Sequence, residues 1–231
     1  MTAPAAAARR LVAVASRVVS ATPWDGRARR LLYVLLAVAV FALVAESVLL
    51  RERGEGVTTL DRTVRAEFRR AAADPALKTT AVIVSRLTGE GLAVIVAAGT
   101  LALFLARRRA EGVTVLLGTL SAWIASGLLK LAYGIPRPRA RDPFDPFVSY
   151  GFPSGHTMVT LVACGLLAWA VGRRAPRPVR VAFVVAVAVI SILSGAARMV
   201  LDAHWLSDVV AGLALGTVWL NAILALAAAR R

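Results

Sequence analysis

The chain is 231 residues long, 58% of them hydrophobic, with a net charge of +15 and a mean hydropathy of +0.71. That apolar share exceeds what a soluble domain carries and it falls in long blocks, which excludes a water-soluble globular protein in favour of one polytopic membrane domain. The positive charge does not mark a nucleic-acid binder, because the arginines cluster at the ends of apolar blocks and not along one polar face. Residues 1–30 are rich in Ala and Arg and read as a cytoplasmic N-terminal segment, either a surface-lying amphipathic helix or a disordered tail. Leu11 to Val19 is too short to span, and no small-residue cleavage site follows it. The first crossing is expected over Leu31–Leu50, with Glu46 near its end facing either headgroups or the bundle.

Residues 51–75 mix charges with Leu60, Val64 and Phe68 at fourfold spacing, the pattern of an amphipathic helix lying at the interface as a spacer or as a lid over a lipid. The segment from Pro75 to Leu87 is helical in pattern and leads into a second span over Leu87–Ala106, which stops at Arg107, Arg108 and Arg109. A third span covers Val113–Tyr133, a fourth opens at Ser154 and ends before Arg173, a fifth covers Val181–Ala197 and a sixth Leu206–Ala229. The fold class is therefore all-α: a six-transmembrane helix bundle over 31–231 with an interfacial helix after the first span. Short loops at 107–109 and 173–180 are almost purely basic, which places them and both termini in the cytoplasm. The loop 134–153 and the stretch Arg198–Asp208 then fall on the extracytoplasmic side. The lone Cys164 forms no intrachain disulfide and reads as lipid-facing or as core filler.

Three polar islands interrupt this apolar chain, all at the outer ends of spans. In the first, Lys130 sits about one turn inside a span, where its ammonium either snorkels or meets an anion. The same island holds Arg137 between Pro136 and Pro138, on a stiff loop that suits a planar fork for an anion or leaves an ordinary solvated arginine. The second island is Pro153-Ser154-Gly155-His156, with Ser154 a candidate N-cap and Gly155 allowing an anion close to the helix-start N–H groups. The third island carries Arg198, His204 and Asp208. His204 and Asp208 are four apart, so a helix beginning near His204 would put a carboxylate beside the imidazole, able to fix its tautomer. Trp205 and His204 would also suit a membrane interface, but an acid inside a span is costly and usually functional.

Together the patterns K-x6-R-P, P-S-G-H and R-x5-H-x3-D resemble the three-part signature of the type 2 phosphatidic acid phosphatase superfamily, which takes in lipid phosphate phosphatases and vanadium haloperoxidases. The resemblance covers Lys130 to Asp208; residues 1 to about 110 match in hydropathy alone. It implies that His204 attacks phosphorus, that Asp208 orients its ring, and that His156 protonates the departing oxygen and later activates water. It also implies that Lys130, Arg137, Arg198, Ser154 and Gly155 hold the phosphoryl oxygens. Phosphoryl transfer needs positioned positive charge around three oxygens, which three cations and a helix N-terminus supply. No cluster of acids or cysteines offers a metal site, so turnover without metal or other cofactor is expected. Two positions depart from the family pattern. Ala197 stands where a Ser usually precedes the arginine, removing a hydroxyl worth on the order of 1 kcal/mol, for which Ser194 is a candidate substitute. Leu206 stands where a Pro is common.

The expected activity is removal of a terminal phosphate from a lipid phosphate in the bilayer, with polyprenyl diphosphate the first choice and phosphatidate or phosphatidylglycerophosphate the rivals. A lipid transporter or scramblase would need charges through the midplane, and a non-catalytic family member is the reading Ala197 motivates. Oligomeric state is not encoded in these patterns.

Overall fold

In the computed structural model, residues 26–52, 58–138 and 150–229 are described, and they are helical apart from connections and one bridge pairing Pro136 with Tyr150. The helices are α1 (Gly26–Glu52), α2 (Thr58–Ala71), α3 (Pro75–Thr88), α4 (Glu90–Leu105), α5 (Arg109–Tyr133), α6 (Gly155–Gly172), α7 (Arg177–Val200) and α8 (Leu206–Ala229). Among the described residues, six stretches are long and apolar enough to cross a membrane, so the six-span bundle expected from the sequence is present. The N-terminal segment up to residue 25 and most of the 134–153 loop lie outside the described residues.

The second span differs from its expected bounds. Pro75–Leu105 forms one apolar run of 31 residues, broken only at Gly89 between α3 and α4. At 1.5 Å per residue its contour is about 46 Å, well over the hydrocarbon thickness, so one crossing does not use all of it. Lys78, Ser85 and Arg86 dilute the apolar signal of α3, which is why the sequence pattern treats Pro75–Leu87 as a helix leading into the span. Asp74 starts the run, accepting a hydrogen bond from Ala76 N at 2.9 Å ahead of a proline at the first helical position.

Helix α6 is the centre of the bundle. More than half of it is buried, whereas α1 lies at the periphery and is largely exposed. It packs on α5, α7 and α8, with Met158, Val162, Ala163, Leu166 and Ala170 facing Leu92, Val96 and Val115. Cys164 packs against this cluster, in line with the filler reading. Small residues allow the close crossings that membrane helices use. A Cβ on Gly212 of α8 would lie 2.7 Å from Ser154 O, so that glycine sets how near α8 comes to the start of α6. At the opposite end, buried Glu111 meets Arg173 at 2.9 Å, which joins the start of α5 to the end of α6. Glu46 is exposed on α1 and takes no part in the bundle interior.

Helix α2 follows the first span as expected, but its stripe turns differently. Leu60 is exposed, while Phe68 and Ala72 pack against Ala81 and Val84 of α3 and Ala197 and Val200 of α7. Its protein-facing side also carries the charged pair Asp61 and Arg65, and it reaches both α7 and α8.

Candidate active site

The three islands meet at one end of the bundle. Lys130 occupies the last turn of α5 and is buried, so it does not snorkel. Gly155, the first residue of α6, lies directly on α5: a Cβ there would stand 2.8 Å from Ser126 Oγ and 3.7 Å from Lys130 Nζ. Glycine keeps the space between the helix start and the ammonium clear, as an anion site at a helix N-terminus requires. Arg137 follows the Pro136–Tyr150 bridge and is buried too, which sets aside the solvated-loop reading. The returning strand of chain is held by Gly151 N donating to Ile135 O at 2.8 Å. It passes between Arg137 and Asp208, since a Cβ on Gly151 would lie 3.4 Å from Arg137 Cγ and 2.9 Å from Asp208 Oδ2.

Ser154 N donates to Asp208 O at 2.9 Å, tying the second island to the third through backbone. Ser154 stands at the N-cap position of α6, yet its hydroxyl makes no capping bond and pairs instead with Thr157 Oγ1 at 2.9 Å. The expectation of an ordinary side-chain cap is thus corrected. His156 faces the break between α3 and α4: its Nε2 lies 2.9 Å from where a Cβ on Gly89 would be. A side chain at 89 would displace that ring.

Helix α8 begins at Leu206, where the sixth span was expected to start, and the pairing of His204 with Asp208 in its first turn is present. Asp208 Oδ2 lies 3.1 Å from His204 Nδ1 and also accepts from Trp205 N at 2.9 Å. One carboxylate oxygen therefore fixes both the ring and the turn that carries it. The ring is almost wholly buried, and its Nε2 has no hydrogen-bond partner among the described residues. Burial, then the positive charges of Arg198, Arg137 and Lys130 and the neighbouring His156, push the imidazole well below the ordinary histidine range. All four groups thus lie near enough to act on it. With a carboxylate on Nδ1, the neutral ring carries its proton there and presents the Nε2 lone pair.

Arg198 is completely buried and donates through Nη1 to Ser85 Oγ at 3.0 Å. Ser85, a residue of α3, was not singled out in the sequence. Ser194, the candidate substitute for the missing hydroxyl, is otherwise engaged: it donates to Thr88 Oγ1 at 3.0 Å and lies 3.5 Å from Thr160 Oγ1. Ala197 packs in the apolar cluster with Ala81 and Val200, so the helix α3 that brings Ser85 leans on the small side chain that replaced the serine. The polar residues Ser85 and Thr88, three apart and so on one helix face, were the available signal. Among the described residues, no group of three His, Cys, Asp or Glu side chains could hold a metal ion.

A family model for the PAP2 superfamily matches residues 111–231, which is more than half of the chain and includes every predicted site residue. The chain belongs to the PAP2 superfamily. As such it is a hydrolase, a multi-pass membrane phosphatase of the lipid phosphate class. No curated protein matches it. Among solved structures it is similar to a transmembrane PAP2-type phosphatidylglycerophosphate phosphatase from Bacillus subtilis, with a TM-score of 0.71 at 20% identity. The likeness covers 86% of this chain and 97% of that one. It therefore extends well beyond the half of the chain in which the three motifs lie.

Proposed function

We propose that this PAP2 protein removes the terminal phosphate of a lipid phosphate or diphosphate through a phosphohistidine on His204, without a metal ion. The observation that supports this most is the setting of His204: a buried ring, held at Nδ1 by Asp208, with Nε2 unbonded among the described residues and three cations near enough to push its pKa down. Nε2 attacks phosphorus, and the bond from phosphorus to the lipid oxygen breaks. His156 gives its proton to that departing oxygen. It then takes a proton from water as the water oxygen attacks the phosphohistidine, releasing phosphate and restoring His204. Lys130, Arg137 and Arg198 hold the three equatorial oxygens, and Ser154 with the backbone N–H groups of Gly155 and His156 adds to them. Asp208 stabilises the imidazolium that forms at the intermediate.

The assignment takes residues 31–231 as one catalytic domain with cytoplasmic termini and the site at the extracytoplasmic face, where a lipid tail stays in the bilayer. Polyprenyl diphosphate is the first substrate proposed. Phosphatidylglycerophosphate is the second, favoured by the specificity named for the structurally similar Bacillus subtilis enzyme. Phosphate release by purified protein from polyprenyl diphosphate, phosphatidate and phosphatidylglycerophosphate, compared as kcat/KM with and without chelator, tests the reading. Release that is unchanged by chelator is expected; turnover abolished by it removes the metal-free mechanism, and inertness on all three lipids removes the activity.

The electrostatics of His204 predict its pH behaviour. The unfolded residue takes up a proton near 6.5, whereas the folded ring does not until well below that. Its neutral, nucleophilic form therefore persists as pH falls through 6.5, and the stability it contributes is complete above that value and declines below it. Single-turnover formation of the phosphoenzyme, followed from pH 8 down to pH 5, is expected to show no His204 titration near 6.5.

Ser85 provides a further test. Ser85→Ala removes the hydroxyl that accepts from Arg198, a charge-assisted bond of the kind worth about 1.5–3 kcal/mol. Inorganic phosphate is expected to inhibit this variant about tenfold more weakly than wild type, read from competitive inhibition constants.

A further inference from the structure

Helix α2 has no part in the chemistry above, yet it makes a concentrated set of polar contacts with the loops that carry the site. Arg65 grips Asp202 with both prongs, Nε to Oδ1 at 2.6 Å and Nη2 to Oδ2 at 2.9 Å. The same Nη2 donates to Pro138 O at 3.0 Å, and the guanidinium carbon stands 5.0 Å over the Trp205 ring. Four residues earlier, Asp61 accepts from Ser207 N at 3.0 Å through one oxygen and from Ser207 Oγ at 2.9 Å through the other. Asp61 is only 6% exposed. Asp61 and Arg65 share one face of α2, as an i,i+4 spacing dictates, and that face lies on the two loops that supply the site.

The places they grip are informative. Pro138 adjoins Arg137, Asp202 lies two residues before His204, Trp205 directly follows it, and Ser207 directly precedes Asp208. Asp202 has φ +55, a left-handed conformation that a residue with a side chain rarely adopts. Its backbone N donates to Met199 O at 3.0 Å, and Ala203 N donates to Arg198 O, also at 3.0 Å. The loop carrying His204 is thus pinned from within by Asp208 and from without by α2.

We propose that Arg65 and Asp61 are positioning residues for phosphoryl transfer: they clamp the His204 loop to the Arg137 loop, so that nucleophile and anion-holding cations keep their mutual placement. This rests on the phosphatase reading above. Neither residue touches the reacting atoms, and α2 acts through the loops it joins. A displacement of about 1 Å between nucleophile and substrate costs on the order of a hundredfold in rate. The effect belongs in kcat, because the individual cations still bind phosphate.

Three variants of the full chain test the clamp: Arg65→Met, Asp202→Gly and the pair together. Asp202→Gly removes the carboxylate while easing the φ +55 conformation, so it perturbs the fold least. Each is assayed on whichever of the three lipids the wild type hydrolyses fastest, with inorganic phosphate as competitor. Each single variant is expected to lose about tenfold to a hundredfold in kcat, with the phosphate inhibition constant within about threefold of wild type. The double variant is expected to be no slower than the worse single, since both remove one interaction. Arg65→Lys, which keeps the charge and loses the fork, is expected to recover part of the rate. Parallel losses in kcat, phosphate binding and thermal stability would mean a merely structural helix and overturn the clamp. If Arg65→Met does not fold, Asp202→Gly decides alone: wild-type kcat there also overturns it. Active wild type silenced by His204→Ala, with both clamp variants at full rate, removes the clamp and leaves the phosphatase reading intact. An inert wild type removes both.

Discussion

His204→Ala is expected to lower kcat for phosphate release by about 10⁴-fold or more, because the nucleophile and the bond it makes to phosphorus are both lost. The residual rate would come from the cations alone, which still hold and polarise a phosphoryl group. The substitution leaves the frame of the site in place. Asp208 still accepts from Trp205 N, Ser154 N still donates to Asp208 O, and Arg198 still donates to Ser85. The inhibition constant of inorganic phosphate is therefore expected to stay within a few-fold of wild type while turnover disappears. Acid-labile label from a radiolabelled lipid phosphate should appear on wild type and not on the variant. Equal phosphate release by the two proteins would sink the assignment of His204, whatever the family. His156→Ala provides the complementary result: a slow first step, and an intermediate that persists because no base activates the hydrolytic water.

The parts of this molecule that were legible in sequence are those governed by one dominant force. Long apolar runs must be helical in a bilayer, since every backbone group has to be satisfied internally, so the six spans followed from composition alone. The cations and histidines were legible for the converse reason: Lys130, Arg198 and Asp208 are too costly in such segments to be there without partners. Local balances between comparable forces were not legible. The hydroxyl of Ser154 pairs with Thr157 Oγ1 and makes no capping bond, in a helix start against which Gly212 of α8 is closely packed. Ser194 and Ser85 look alike in sequence as buried hydroxyls near an arginine. Only the packing of α3 onto Ala197 and Val200 assigns Arg198 to Ser85 and Ser194 to Thr88. Asp61 and Arg65 were not singled out in sequence, because their partners lie 146 and 137 residues away in the chain, beyond any local pattern.

Asp208→Asn is expected to lower kcat by about 10³-fold to 10⁴-fold, the loss seen when a carboxylate behind a catalytic imidazole becomes an amide. The two side chains have the same shape. An asparagine carbonyl oxygen at the Oδ2 position can still accept from Trp205 N and from His204 Nδ1, so the turn and the ring orientation survive. What disappears is the negative charge beside a ring already surrounded by Arg198, Arg137 and Lys130. Forming phosphohistidine makes that ring cationic, and in the variant it would do so among three cations with no counter-charge on Nδ1. The same loss makes the cup more positive towards an anion. Inorganic phosphate is therefore expected to inhibit Asp208→Asn at least as tightly as wild type, while the rate of phosphoenzyme formation collapses. This divergence separates charge from scaffolding: if Asp208 served only to hold the turn, the isosteric amide would keep kcat within about tenfold of wild type, and phosphate affinity would not rise.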